Sequence, residues 1–164
     1  MAPSDTERRA LIDRYAAGPQ RLRQALAAVP AEAMKWRPAP GEWSAHEVVC
    51  HCADSETQSA SRIRVLAVEK EPLIVGYDQD AWARQLDYHA QPLDLALAVV
   101  DAVRGATAEL LRRLPADVWA REGRHTESGR YTAGDWLRIY AEHLEGHARQ
   151  IEANVAAWRE RHRR

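Results

Sequence analysis

His143 and His147, four residues apart in His143-Leu144-Glu145-Gly146-His147, are the side chains of this 164-residue chain best spaced to do chemistry. In a helix, positions i and i+4 lie one turn apart on the same face, so both imidazoles can reach one ion. The pair falls on the run Trp136, Tyr140, His143, His147, Ile151, Asn154 and Trp158, whose three- and four-residue steps mark a core-facing stripe. Polar rings on a buried stripe need partners, because an unsatisfied buried polar group costs about 1–3 kcal/mol. A metal ion satisfies both rings at once. The spacing alone is weak, since pairs four apart also arise by chance among seven histidines; the placement on the apolar stripe carries the reading.

A third ligand has to come from another helix, and the segment after Ser44 offers His46 and His51. His51 lies on the line Val48, His51, Ser55, Ser59 and Arg62 or Ile63, where small residues leave room beside it. His46 sits in the first turn, where a solvent-facing histidine is the plainer reading. Asp54 and Glu56 are near enough to accept from a ring N–H, as metal-bound histidines usually require. Cys50 and Cys52 each point about 100° away from His51 around the helix, so at most one could lean toward the same site. Both read as small buried apolar residues.

Four helices must position these groups. Helix 1 runs from about Ser4 to Val29, with a kink or break expected at Gly18-Pro19 and a stop at Pro30. The linker Trp36-Arg37-Pro38-Ala39-Pro40-Gly41-Glu42-Trp43 cannot be helical. Ser44-Ala45-His46-Glu47 is a capping box that opens helix 2, with Trp43 and Val48 in staple positions, and the helix continues to about Glu69. Pro72 to Gln91 is a long segment of weak periodicity, of the kind that crosses a bundle or takes part in function. Helix 3 lies between Pro92 and Pro115, and Arg121–Tyr131 reads as a loop or small hairpin. Thr132 with Asp135 caps helix 4, from about Ala133 to Arg159. This pattern predicts an all-α fold, a four-helix bundle in one domain spanning residues 1–164, with no convincing strand run.

Composition narrows the function. Lys plus Arg is 23 and Asp plus Glu is 24, a net charge of −1, which argues against a generally basic nucleic-acid binder. The terminal Arg159-Glu160-Arg161-His162-Arg163-Arg164 cluster reads as a solvated helix end. With 46% hydrophobic residues the chain can bury a core, and no apolar run approaches a membrane span. Without a leader-like segment, and with its two cysteines only one residue apart, it is expected in the cytoplasm.

The segments Gly41-Glu42-Trp43-Ser44, Val48-Val49-Cys50-His51-Cys52-Ala53-Asp54, Tyr77-Asp78-Gln79-Asp80-Ala81-Trp82 and Tyr140–Ile151 together resemble the DinB/YfiT-like superfamily, most closely its YfiT-like branch. The likeness covers nearly the whole chain in order, and its specificity comes from the ordered set. Cys52 departs from the leucine common after the helix-2 histidine. The resemblance implies a bundle with a long crossover between helices 2 and 3. It also implies one divalent metal on one helix-2 and two helix-4 histidines, which match His51, His143 and His147 here. Because the linker and crossover must pack near a bundle end, Trp43, Tyr77, Asp80, Trp82 and Arg149 are candidates for a cavity wall that binds a cofactor or substrate. The alternative is that both tryptophans simply plug the core.

Three neutral imidazoles add no charge, so a bound cation keeps its 2+ character and at least one open position. That position can hold water, whose pKa falls from 15.7 to about 7. It can instead hold a thiol, whose pKa near 8.5 falls so that thiolate forms at neutral pH. The resemblance implies a thiol S-transferase joining a low-molecular-weight thiol such as bacillithiol to an electrophile. The alternatives are a metal-dependent hydrolase and a non-catalytic metal-binding stress-response protein. Zinc or nickel is the expected metal, with iron or manganese also suited to the donors. The expected partners are a small-molecule thiol and an electrophile, with homodimerisation left open, and neither nucleic acid nor a membrane.

Overall fold

The structure, a computed structural model, describes residues 2–163. Four long helices form the bundle: α1 (Asp5–Ala27), α2 (Ala45–Val68), α4 (Leu93–Arg113) and α5 (Ala133–Arg161). A short helix α3 (Gln79–Gln85) lies in the crossover, and three short strands, β1 (Leu73–Ile74), β2 (Glu122–His125) and β3 (Gly129–Thr132), complete the chain. The fold is the expected all-α four-helix bundle. Two caps anticipated from sequence set helix starts: Ser44 and Glu47 exchange the reciprocal bonds that open α2, and Thr132 and Asp135 do the same for α5.

Around the bundle the helices run α1, α5, α2, α4, each packed on its two neighbours. Side-chain pairs give their directions. Glu7 meets Arg138 and Arg21 meets Glu152, so α1 and α5 are parallel. Glu56 meets Arg104 and Arg64 reaches Thr107, so α2 and α4 are parallel too. Trp136 Nε1 donates to the Ser59 carbonyl while His143 faces Ser55, so α2 and α5 are antiparallel. A connection between parallel neighbours must bring the chain back along the whole helix length, which is why residues 69–92 form a long crossover.

The start of that crossover is anchored by strand pairing. Leu73 and Ile74 pair in parallel with Arg124 and His125 of β2, and β2 pairs antiparallel with β3. The expected hairpin is therefore present, but β1 was not anticipated: two residues are too short to show a period of two. Ile74 is nonetheless buried, and the Pro72 and Ile74 carbonyls accept from Arg124 N and Thr126 N at 2.9 Å.

The kink or break expected at Gly18-Pro19 is absent as an interruption, since α1 is one continuous helix with Pro19 inside it. The physical reason lies in α4. Proline has no N–H to give the carbonyl four residues back, and that carbonyl, Tyr15 O, accepts from Arg104 Nη1 at 2.7 Å instead. A Cβ on Gly18 would stand only 3.1 Å from the same Nη1. Gly18-Pro19 thus forms a seat for a buried arginine. Arg104 also grips Glu56 with two bonds of 2.8 and 2.6 Å and stacks its guanidinium 3.7 Å from the Tyr15 ring centroid. This pair divides the apolar core into one cluster around Tyr15, Ile63, Trp119 and Trp136 and another around Leu22, Val48, Leu144 and Ile151.

Removing one member of a buried ion pair leaves the other uncompensated, at a cost of about 3–5 kcal/mol. Arg104→Met should therefore lose about that much in urea unfolding, and the double change Arg104→Met with Glu56→Leu should be clearly more stable than Arg104→Met alone.

Candidate metal centre

The antiparallel register of α2 against α5 brings His51 opposite His143 and His147. One nitrogen from each of the three rings can be chosen so that all lie within 4.8 Å of one another. His143 Nε2 and His147 Nε2 are 3.2 Å apart. Two imidazole nitrogens bound tetrahedrally to zinc at 2.0–2.1 Å would stand about 3.3 Å apart, so this spacing suits a shared cation. The ring centroids of His51 lie 5.6 Å from His143 and 4.8 Å from His147. His51 Nδ1 is buried without a hydrogen-bond partner, the kind of orphaned donor set a cation satisfies.

The surroundings orient two of the rings. His147 Nδ1 lies 2.9 Å from Gln150 Oε1, which leaves Nε2 facing His143. His143 turns Nδ1 toward Glu56 Oε1 at 3.6 Å, while its Nε2 lies 3.3 Å from Ser55 Oγ. At 3.6 Å the Glu56 carboxylate is an ion-pair distance away and not a hydrogen-bond acceptor, and His143 Nδ1, like His51 Nδ1, is buried without a hydrogen-bond partner. Burial pushes the Glu56 carboxyl up, but the facing His143 and the Arg104 fork outweigh it and leave it below its ordinary value. Asp54, the other acceptor considered, takes the Tyr88 hydroxyl at 2.6 Å instead.

Burial, reinforced by its two histidine neighbours, pushes His51 down to about 2. His147 falls to about 4, mainly through burial and the nearby His143, with Gln150 and Glu56 opposing. Both rings therefore stay neutral at ordinary pH, the state in which they can bind a cation.

The remaining candidates separate. The Trp43 ring centroid lies 4.7 Å from that of His51 with the planes tilted by 42°, and its carbonyl accepts from Asn154 Nδ2 at 2.8 Å, tying the linker to α5. Trp82 packs in the same apolar cluster and stands 4.5 Å from Tyr77, ring to ring. Tyr77 lies beside Ser55, so this part of the crossover sits at the histidines. Asp80 is exposed and lines a groove of about 250 Å³ with Trp43, Glu47 and Arg84. Arg149 does not join the site: it is largely exposed and pairs with Glu145 at 3.1 Å, because two residues past His147 a helix has turned through about 200°. His46, expected at the surface, is buried with Nε2 2.9 Å from the Gln91 carbonyl, and it stands outside the cluster. Cys50 and Cys52 are fully buried as expected, and burial pushes the Cys50 thiol up to about 12.

Sequence reasoning missed Arg104, Gln150 and Tyr140 as supports. A signal existed for two of them: Arg104 occupies the core stripe of α4 between Val100 and Leu111, and Gln150 lies three residues past His147, within reach on one face.

The sequence profile of the DinB superfamily matches residues 14–151. The chain belongs to the DinB superfamily. It is 32% identical over 111 residues to an Oceanobacillus iheyensis protein named "Putative metal-dependent hydrolase", an alignment covering 68% of this chain and 64% of that protein. A Bacillus mycoides protein of the same descriptive name is 32% identical over 122 residues, covering 74% of this chain and 67% of its own length. The chain thus spans only about two thirds of the length of these DinB-type relatives. The solved structure of YfiT from Bacillus subtilis, described as "a probable metal-dependent hydrolase with an unusual four-helix bundle topology", superposes with a TM-score of 0.85 at 25% identity, over 98% of this chain and 90% of that one.

Two outcomes are expected. His147→Ala should abolish metal binding, measured by elemental analysis of untagged protein, whereas His125→Ala and His162→Ala should leave it unchanged. In the metal-free protein, an unfolded chain takes up protons below about pH 6.5 while His51 and His147 resist. Stability is then complete above about 6.5 and falls with pH toward 4, by up to about 1.4 kcal/mol per pH unit for each histidine. Urea unfolding from pH 7.5 to 4.5 should show this slope, and the double change His51→Gln with His147→Gln should flatten it.

Proposed function

We propose that this chain is a metal-dependent enzyme in which one divalent cation, held by His51, His143 and His147, activates a small nucleophile for hydrolysis. One observation carries the reading: three imidazoles converge with no carboxylate among the candidate ligands, and burial keeps two of them, His51 and His147, neutral. A cation on this neutral donor set keeps its full charge, so it would lower the pKa of a water or thiol that it holds and polarise an acyl oxygen. Zinc or nickel suits the donors, with iron and manganese next.

The protein's own groups would do the rest. Ser55 meets the His143 ring at 3.3 Å with Glu56 3.6 Å from its other nitrogen, and Gln150 holds the ring of His147. The Trp43 ring packs beside His51, 4.7 Å between centroids, and contributes an apolar wall there. Hydrolysis is the first choice because relatives with this topology carry that description.

Thiol transfer is the second reading, supported by the state of the nearby acids. Glu56 is gripped by Arg104 and Asp54 by Tyr88, so neither is free to serve as a general base. A thiol that ionises on the cation needs none, and its thiolate would attack an electrophile directly. The buried cysteines, with thiols pushed up, leave any such thiol to come from a cosubstrate.

One assay separates these outcomes. Metal-loaded protein is offered activated esters, and separately bacillithiol, mycothiol or glutathione with monobromobimane, each with and without chelator. Hydrolysis predicts ester turnover that chelator abolishes, that ignores thiol, and that rises with pH. Transfer predicts conjugation that needs both thiol and metal. Either rate should survive Cys50→Ala with Cys52→Ala nearly intact. Bound metal with neither rate would leave a non-catalytic metal-binding protein.

A further inference from the structure

Arg62 is a charged group, linked to the histidines through Tyr140, that the chemistry above leaves unused. It follows His51 by eleven positions, three turns along nearly the same face of α2. Its Nη1 donates to the Tyr140 hydroxyl at 3.0 Å and its Nη2 to the Val75 carbonyl at 2.6 Å. Its Nε–H is buried and has no acceptor. No carboxylate pairs with this guanidinium among the described residues, in contrast to Arg104 with its Glu56 fork.

A second orphan lies alongside. The Tyr77 ring centroid is 5.9 Å from Arg62 Cζ, and the Tyr77 hydroxyl is buried without a hydrogen-bond partner. Tyr140, held by Arg62, places its ring 5.5 Å from that of His143. Two unpartnered donors, one of them on an uncompensated cation, therefore lie one side chain away from the histidine cluster, Arg62 through Tyr140 and Tyr77 through Ser55. Buried polar groups are ordinarily satisfied, and a half-buried guanidinium ordinarily finds an anion.

The charges around the cluster agree. Glu56 is paired with Arg104, which leaves the nearby Asp54 carboxylate, hydrogen-bonded by Tyr88, without a cationic partner among the described residues. A bound divalent cation and Arg62 would leave this region net positive. The geometry points to Arg62, with the Tyr77 hydroxyl, as the anchor for a carboxylate group on the substrate. One carboxylate oxygen takes the Arg62 Nε–H and the other the Tyr77 O–H, a planar acceptor matched to two donors. The inference rests on the reading of the three histidines as the reacting centre, and it makes Arg62 a specificity-determining residue that does not itself react.

The test is calorimetric titration of metal-free and metal-loaded protein with succinate and with succinamide, its uncharged analogue. Succinate should bind at least tenfold more tightly than succinamide. Arg62→Gln should lose at least tenfold in succinate affinity in both forms, with metal content and succinamide binding unchanged. Arg62→Lys should retain more of the affinity than Arg62→Gln. If Arg62→Gln does not fold, as read by circular dichroism, Tyr77→Phe decides, because it removes only the hydroxyl assigned to the carboxylate; a threefold or greater loss for succinate is expected. Equal binding of the two ligands overturns the proposal, as does unchanged succinate affinity in folded Arg62→Gln or, failing that, in Tyr77→Phe. Metal content reads out separately. Protein that binds no metal but holds succinate through Arg62 would sink the enzyme reading and keep the anion site, and metal binding without discrimination would do the reverse.

Discussion

The buried pair of Glu56 and Arg104 is the interaction on which the interior depends. It joins three helices: Glu56 from α2, Arg104 from α4, and the Tyr15 carbonyl of α1 that Pro19 leaves free. Its fourth contact is with α5, where Glu56 faces His143. A charged pair in a core costs several kcal/mol of desolvation per ion and by itself is weak evidence for stability. Here every strong donor of the fork has an acceptor, and the carboxylate is turned toward a histidine of the cluster. The same group that holds the bundle in register also orients the candidate metal centre. We read this double use as the reason a polar layer divides an otherwise apolar core.

Topology follows from the need to set α2 antiparallel to α5. Only that direction places Ser55 and His51 beside His143 and His147 in successive turns, with Ser59 against Trp136 beyond them. With α1 and α5 parallel and α2 and α4 parallel, three of the helix-to-helix connections cannot all be short. The cost falls on residues 69–92, and the chain uses that length. Its first strand is pinned to the hairpin before α5, and its middle carries Tyr77 and Trp82 to the histidines. The crossover is therefore both a topological necessity and part of the site.

The protonation state of the cluster is a product of burial. His51 is nearly inaccessible and His147 is packed against a second imidazole, so each would lose solvation and gain repulsion on taking a proton. Neutral rings are the ones with lone pairs to offer. The two cysteines are buried by the same packing, which raises the thiols and removes them from chemistry. Packing alone thus sorts the nucleophilic and ligating residues of α2 into available and unavailable.

The amino-acid sequence by itself determined the four long helices, the caps of α2 and α5 and the histidine set, but not the short helix α3 within the crossover. Periodicity of three and four residues is local, and Ser44 with Glu47 or Thr132 with Asp135 are signals that lie within one turn. His143 and His147 were legible because they fall on an apolar stripe, which has no use for a polar ring unless something binds it, and His51 because small residues leave room beside it for a shared ion. The tertiary structure alone decided what lay across helices. Gly18-Pro19 reads locally as a break, and only Arg104 arriving from α4 turns it into a seat. Arg149 reads from the sequence as a candidate for the cavity wall, and only the turn of α5 and its pairing with Glu145 send it outward. β1 is two residues long and exists because β2 offers it partners. Contacts within a turn are encoded where they occur in the chain. A contact between helices is encoded in two distant places, and neither half carries its meaning until the bundle closes.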